Sequence, residues 1–535
     1  MRLVIKDYLI QLKEKDELDL LLCDLLLQMG YITDNKPETG NRQYGVDIRA
    51  HNEKEILLCV VKQGNLNRKN WDSDQNAVRQ SLNDIQDFYM ELIKGKERDK
   101  ELCIVVATNG VMDEAVRPNW EGYVSHNTNW DGMIVRIEFW NIDKLVDDVQ
   151  RYLFGEHIFG VKLQGLLRKA LYFIGEGDYH NKYFEDIIDL YLTQLDDKDN
   201  PKQRKKKLAG LYLASQMIAQ YASEANVYKN SIMVLEYLII RYWKYMLEHD
   251  VLGKIQYIEW LQKFLTAYEK WNQKYYKAVQ YCCEGEDRLP VYNPIEQRVL
   301  LYEVLGFLTS YAYYLSFLGK YEKTAMERCN QVLGSIINLI NNHSQFPYAP
   351  YDQHVGVISM LYRLLDRLGR IEDINTLIQY QCTHLAQFYL MFKKYPTAAD
   401  SFEDAVNIHM GFPAEDYITS AFWGTMLQWM VLMEQKKMYQ QLQPFLSKDL
   451  AEVTKCVWFL RAEEETKFYD AYAMNLAGEG VALNVEPEFE KMKEHIEFIM
   501  RQYEEEKFSF DEYSFEALEF IVCRYYGSLV RTKRE

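Results

Sequence analysis

Nothing in this 535-residue chain suggests a pairing for its nine cysteines. There is no Cys-x-x-Cys and no Cys/His cluster at zinc spacing, and the adjacent Cys282 and Cys283 are poorly placed to bridge to each other. A disulfide scaffold and a structural zinc site are set aside, and the thiols are expected to be reduced and buried, as in a cytoplasmic protein. No apolar run approaches the ~20 residues that a membrane span needs; "SIMVLEYLIIRYW" is broken by Glu236 and Arg241. The opening "MRLVIKDYLIQLKEKDELD" has no long apolar core and no small-residue cleavage site, so neither a secretory signal nor membrane association is expected. Also missing are a Walker A loop, a GxGxxG after a strand, HExxH, a GxSxG elbow, and the His-x-Glu with Pro-Cys-x-x-Cys of a deaminase. The ten histidines are dispersed. Base is in deficit, with a net charge of −17 spread along the chain, which excludes a general nucleic-acid coat. Nucleic acid would have to be met by local basic patches, or through metal ions that neutralise carboxylates.

What the chain has is length for several cores, scarce proline (11) and abundant tyrosine (41), a balance suited to long helices packed through amphipathic rings. Residues 1–153 are predicted to be an α/β domain. The helical stretch "DELDLLLCDLLLQMG" ends at Gly30, a natural residue to follow a helix. Two strand-like runs come next, "YGVDIRA" and "EILLCVVK", the second apolar enough to be buried on both faces. A helix over "DSDQNAVRQSLNDIQDFYMELI", N-capped by Asp72 or Asp74, precedes a buried strand "ELCIVVATNG". A last strand, "MIVRIEFWNI", and a helix, "DKLVDDVQRYLF", follow. This order implies a central mixed sheet flanked by helices.

From residue 154 to 535 strand signals disappear, and an all-α region of stacked helical hairpins is expected. In "LAQFYLMFKKYPTAADSFEDAVNIH", Ala386, Tyr389, Ala398, Phe402 and Ala405 fall where the tetratricopeptide pattern places small and aromatic residues. "YAYYLSFLGKYEKTAMERCNQVL" resembles a weaker copy, with Ala325 in register. The regular period of about 34 residues is absent, so an irregular helical domain is the alternative.

One stretch carries candidate chemistry. In "YGVDIRAHNEKEILLCVVKQG", Asp47 opens one strand and Lys62 ends the next. With the acidic helix running into "MGY", and with "IVVATNGVMDEA" and "IEFWNIDKLVDDV" later, residues 1–153 resemble the restriction-endonuclease-like, PD-(D/E)xK superfamily, particularly its Mrr-type branch. The resemblance implies a divalent metal, Mg2+ or Mn2+, held by Asp47, and a lysine, Lys62, that orients or activates the attacking water. It also implies an acid from the first helix, matched best by Asp19, with Glu17 within one turn. The family's second carboxylate falls on Val60, where this chain departs from the pattern. Val60 and Lys62 share a strand face, and a valine side chain offers a hard cation no oxygen. The Val61 carbonyl, or Asp72 or Asp74, can stand in; the last two are otherwise helix caps. Asp19 and Glu17 are otherwise an acidic first turn complementing the helix dipole.

Around this centre Arg68, Lys69 and Arg79 are positioned to hold phosphates. Trp71 can stack on a base or seal its loop against the core. "PKQRKKK" (Lys202, Arg204, Lys205, Lys206 and Lys207) is a nucleic-acid grip or a solvated start to a helix. The expected function is a metal-dependent endonuclease acting on nucleic acid, DNA by preference. Its helical domain would dock a protein partner, in bacterial defence against phage or foreign DNA. The alternative is a non-catalytic scaffold with a degenerate endonuclease-like domain; a third reading is a helical-repeat adaptor whose first domain only aids homodimer formation.

Overall fold

The computed structural model describes residues 2–34, 45–73, 77–153, 161–175, 182–195, 200–286, 288–392, 402–410, 419–470, 477–503 and 506–533. The chain forms two compact units, Met1–Val227 and Tyr228–Glu535. Asp74 and Ala398 lie outside the described residues.

The first unit opens with helix α1 (Arg2–Leu9), a turn, and α2 (Asp19–Gln28). Gly30, at φ +92°, ends α2 as expected: its N–H bonds Leu27 O and the Tyr31 N–H bonds Leu26 O, each at 3.0 Å. Six strands follow in sheet order β1-β2-β3-β4-β6-β5. They are β1 (Ile32–Thr33), β2 (Ile48–His51), β3 (Glu55–Lys62), β4 (Glu101–Thr108), β5 (Asn129–Trp130) and β6 (Met133–Trp140). β2 and β3 form an antiparallel hairpin whose turn is pinned by Asn52, its Oδ1 accepting from Lys54 N and Glu55 N at 2.8 and 2.9 Å. β3, β4 and β6 run parallel, with Lys62 beside Thr108 and Ala107 beside Trp140, so their C-terminal ends share one rim.

β3 and β4 are buried along nearly their whole length because both faces are covered, the physical reason their apolar runs do not alternate. Helix α3 (Val78–Asp87) crosses from β3 to β4 and buries Val78, Leu82 and Ile85 in the core that also holds Val60 and Val106. Helices α4 (Arg117–His126) and α5 (Ile142–Asp148) lie before and after β6. Then α6 (Val161–Gly175), α7 (Lys182–Thr193) and α8 (Pro201–Glu224) complete the unit, α8 packing on α1, α6 and α7. "PKQRKKK" is the first two turns of α8, behind an Asn200 cap that accepts from Gln203 N at 2.9 Å.

The second unit is built mostly of helices: α9 (Tyr228–Glu248), α10 (Ile255–Cys283), α11 (Pro294–Leu318), α12 (Lys323–Asn342), α13 (Val355–Arg367), α14 (Ile371–Phe392) and α15 (Phe402–Met410). It continues with α16 (Ala421–Leu432), α17 (Lys436–Pro444), α18 (Glu465–Phe468), α19 (Phe489–Arg501), α20 (Ser509–Glu512) and α21 (Ala517–Tyr526). α9 packs on α10, and α21 returns to both α9 and α11. At that return two buried acids are met by arginines: Glu236 by Arg524, and Glu519 by Arg363 at 2.8 Å and Arg531 at 2.9 Å. Ala325, Ala386 and Ala405 are buried, and Ala405 packs against Ile295.

The expectation of helices alone is corrected in one place. β7 (Thr419–Ser420), β8 (Thr454–Leu460) and β9 (Gly478–Leu483) form a three-stranded sheet with β8 in the middle. "TKCVWFL" alternates half-buried and buried positions over a β-branched and aromatic run, which is strand chemistry. Gly424 lets α16 lie directly on it, since a Cβ there would stand within 2.0 Å of Cys456 O. Among the described residues no helix is long and apolar enough to cross a membrane.

Candidate functional site at the rim of the parallel strands

β2 and β3 part company at Asp47. The Asp47 N–H still reaches Cys59 O at 2.9 Å, and its carboxylate Oδ2 then accepts from Val61 N at 2.7 Å. The side chain thus takes the place of the next strand carbonyl and ends the ladder. A strand residue presents its N–H and C=O to the same edge, so the Val61 carbonyl faces the Asp47 side as well. Val60, by contrast, is fully buried in the core beneath α3, alongside Trp71 and Val106.

Lys62 follows at the strand end, its side chain 15 % exposed, and its Nζ lies 3.5 Å from the Glu14 carboxylate. The other Glu14 oxygen accepts from Gln63 N at 3.3 Å. Glu14 sits in the turn between α1 and α2, where Lys15 is extended and Asp16 adopts a left-handed φ of 64°. Asp is among the residues that tolerate that region, and the reversal points Glu14 at the sheet while sending Glu17 elsewhere. Two polar side chains at the strand ends, Asn109 and Gln63, hold the turn in place, and Thr108 braces the Gly64 backbone beside them. Asn109, buried at the end of β4, donates to Leu9 O and Leu12 O, both at 2.9 Å, and accepts from Gly64 N at 2.7 Å. Gln63 Nε2 donates to Leu12 O at 3.0 Å, and the Thr108 hydroxyl donates to Gly64 O. "TNG" therefore makes a turn, as expected, and is also the clamp that brings α1 to the rim. Gly110 completes it by close approach, since a Cβ there would lie 2.4 Å from the Gly64 backbone.

The charges are coupled. Burial pushes the Asp47 carboxyl above its ordinary range; the Val61 N–H and Lys62 oppose the shift, while Glu14 adds to it. The rim accordingly holds two carboxylates and one lysine, the lysine favouring the ionised form of the first.

The other sequence candidates are placed as follows. Asp19 begins α2, is buried, and its Oδ1 accepts from Leu20 N at 2.7 Å. Glu17 accepts from Lys13 N at 2.7 Å and pairs with Lys206; although its burial opposes this, those two contacts hold its carboxyl below the usual range. Lys206 is thereby an internal partner, and Lys207 donates to Gln194 O at 2.5 Å, while Lys202 and Lys205 are exposed. Arg68 and Lys69 are exposed at the start of a short helical turn, Lys69–Ser73, after Lys62. Arg79 is exposed and pairs with Asp72 at 3.4 Å. Asp72 is not the cap of α3, which starts later than expected behind Ala77 with no side-chain cap. Trp71 seals its loop: it is 2 % exposed, with its ring set edge-on to Trp120 and Tyr123, each at 5.9 Å. It is too enclosed to stack on a base.

The residue missed by sequence reasoning is Glu14. Its acidic neighbours 16, 17 and 19 were equally visible, and only the reversal at Asp16 selects among them. Asn109 was legible in principle, as a polar residue just past the apolar run of β4. Among the described residues no group of three or more His, Cys, Asp or Glu side chains is gathered as a metal cage. No family model, no curated protein and no solved structure matches this chain.

Proposed function

We propose that the first unit is a metal-dependent phosphodiester hydrolase of the restriction-endonuclease-like, PD-(D/E)xK kind, acting on nucleic acid. The observation that carries the reading is the meeting of Asp47, Lys62 and Glu14 at the C-terminal rim of β3, the end of parallel strands where open α/β sheets bind ligands. Asp47, Glu14 and the Val61 carbonyl would hold Mg2+ or Mn2+. Magnesium is commonly bound by one or two carboxylates, with water and substrate phosphate completing its shell, so a two-carboxylate rim fits it. Bound there, the metal would polarise the phosphate and supply an activated water. Lys62 favours the ionised form of the Asp47 carboxylate against its burial and sets a cation beside the charge that develops on the phosphoryl oxygens. Arg68 and Lys69, exposed a few residues after Lys62, would grip a strand's flanking phosphates, and Arg79 would join them by leaving Asp72. The second unit serves as a docking domain for a protein partner. Its buried Ala325, Ala386 and Ala405 support a tetratricopeptide-like packing, and a role in defence against foreign DNA follows by analogy with nucleases fused to helical domains.

A second reading keeps the fold and drops the chemistry. Val60 is sunk in the core and one Asp47 oxygen is already satisfied by Val61 N, so the rim is also stable as a scaffold. Incubation of the full chain with plasmid and single-stranded DNA and RNA, in Mg2+, Mn2+ or EDTA, separates the two. The hydrolase predicts metal-dependent cleavage lost by about a hundredfold or more in Lys62→Met, Asp47→Asn and Glu14→Gln, with Asp19→Asn much milder. Wild type inert with both metals, in the presence of cell extract, would leave only the scaffold.

A further inference from the structure

A cavity of about 610 Å³ opens in the second unit between β8, the end of α19 and the segment after α21. That is within the size range of small-molecule sites, and no part of the reading above uses it. Its walls are aromatic. Phe459 and Tyr503 stack at 4.2 Å with planes 4° apart, and buried Phe508 stacks on Phe510 at 5.2 Å. Trp458, next to Phe459 on β8, also lines the space.

Cations stand beside these rings. The Arg531 guanidinium lies 4.6 Å from the Phe508 centroid and 4.8 Å from that of Phe510. Its Nη1 and Nη2 donate to the two Asp511 oxygens at 2.7 and 2.9 Å, and Nη2 donates to Glu519 at 2.9 Å. So held, it cannot turn, and its Nε–H is buried with no acceptor among the described residues. The residue lines the cavity, so its guanidinium sets a fixed positive charge in the wall. Lys533 lines the same cavity, and among the described residues its one ion pair, to Asp511, is long at 3.8 Å. Of the acids at the wall, Asp511 is committed to Arg531. Glu506 is committed to Arg461 at 3.1 Å and to Ala462 N at 2.7 Å, while Glu512 is exposed at the rim. Lys507 and Lys533 add positive charge to the same wall beside Arg531.

We propose that this cavity binds a small aromatic anion, its ring against Trp458 and Phe508 and its carboxylate or phosphate on Lys533, beside the fixed charge of Arg531. An aromatic acid and a nucleotide share this chemistry. Calorimetric titration of the full chain with indole-3-carboxylate and with AMP distinguishes them, with indole, adenosine and inorganic phosphate as controls. At least one anion is expected to bind with Kd below about 1 mM, and its neutral counterpart and phosphate at least about tenfold more weakly. Lys533→Gln, at a half-exposed side chain, and Met500→Trp, which fills the space, should each weaken that binding by about tenfold or more. Circular dichroism of the ligand-free variants checks that the fold is kept. If Met500→Trp does not fold, Lys533→Gln decides. Failure of both anions to bind, neutral rings binding as tightly, or full binding by folded Lys533→Gln would each overturn the proposal.

Discussion

Asn109 is where the rim can be broken without touching a proposed catalytic group. Replacing it by alanine removes its bonds to Leu9 O, Leu12 O and Gly64 N, with a long one to Ile10 O at 3.5 Å, but the damage is unequal. Leu12 O keeps its bond from Gln63 Nε2, and Leu9 O keeps one from Leu12 N at 3.1 Å. Gly64 N loses the acceptor that Asn109 supplies. Counting about 1–2 kcal/mol for the stranded N–H and about 0.5–1 kcal/mol for each weakened carbonyl, Asn109→Ala should cost about 2–4 kcal/mol. For a unit of this size that lowers Tm by roughly 5–15 °C. Asn109→Asp is the sharper test because it keeps shape and the Gly64 acceptor. It sets a second oxygen against two carbonyl oxygens where the amide nitrogen now stands 2.9 Å from each. The new carboxyl must keep a proton, so its folded pKa is raised. Its stabilising contribution is present at low pH and is lost as pH rises through that raised value. At neutral pH the Asp variant should therefore be less stable than the Ala variant, and the order should reverse on acidification. Urea unfolding of both variants from pH 4 to 8 tests this. An Asp variant as stable as wild type at pH 7, or an Ala loss below about 0.5 kcal/mol, would show that Asn109 does not clamp the turn.

Asp47 has a raised folded pKa, so its ionised form costs stability that is absent below its unfolded pKa and appears as pH rises through the folded value. Asp47→Asn, which can still accept from Val61 N, should raise the urea midpoint at pH 7 while abolishing any metal-dependent cleavage, and the gain should vanish toward pH 4. Gly45 has φ +81° and a Cβ there would lie 2.3 Å from Ser81 O, so Gly45→Ala should destabilise the first unit by about 1–3 kcal/mol, read as a Tm shift. In the second unit Arg363→Met strips one partner from a pair whose side chains are 0 % and 1 % exposed. Because Arg531 still holds Glu519, the loss should sit near the lower end of about 3–5 kcal/mol. Adding Glu519→Gln should make the double variant more stable than the sum of the two single losses, and purely additive losses in denaturant melts would refute the coupling.

How much of this was written in local sequence depends on how far each feature reaches. β3 and β4 were legible because six or more consecutive apolar side chains can only be a segment covered on both faces, and Gly30 because a helix end needs a residue at positive φ. Asp47 and Lys62 were legible as members of one hairpin, close along the chain. The three-stranded sheet was not. β8 is short, one of its faces is closed by α16 through Gly424, and its partner β9 lay in a stretch that reads as a break between helices. Glu14 was illegible for a stronger reason. Four acids occupy positions 14, 16, 17 and 19, and composition treats them alike. What singles out one is the direction of the backbone at Asp16, which is held by Asn109 and Gln63 from strands distant in sequence. The rim is therefore assembled by hydrogen bonds that span about a hundred residues, and none of its charges could be ranked before those bonds were known. A pair such as Glu14 and Lys62, once brought together this way, has to be tested with the clamp intact. Glu14→Gln read alongside Asn109→Ala separates loss of a charge from loss of its position, because only the first leaves stability near wild type while removing cleavage.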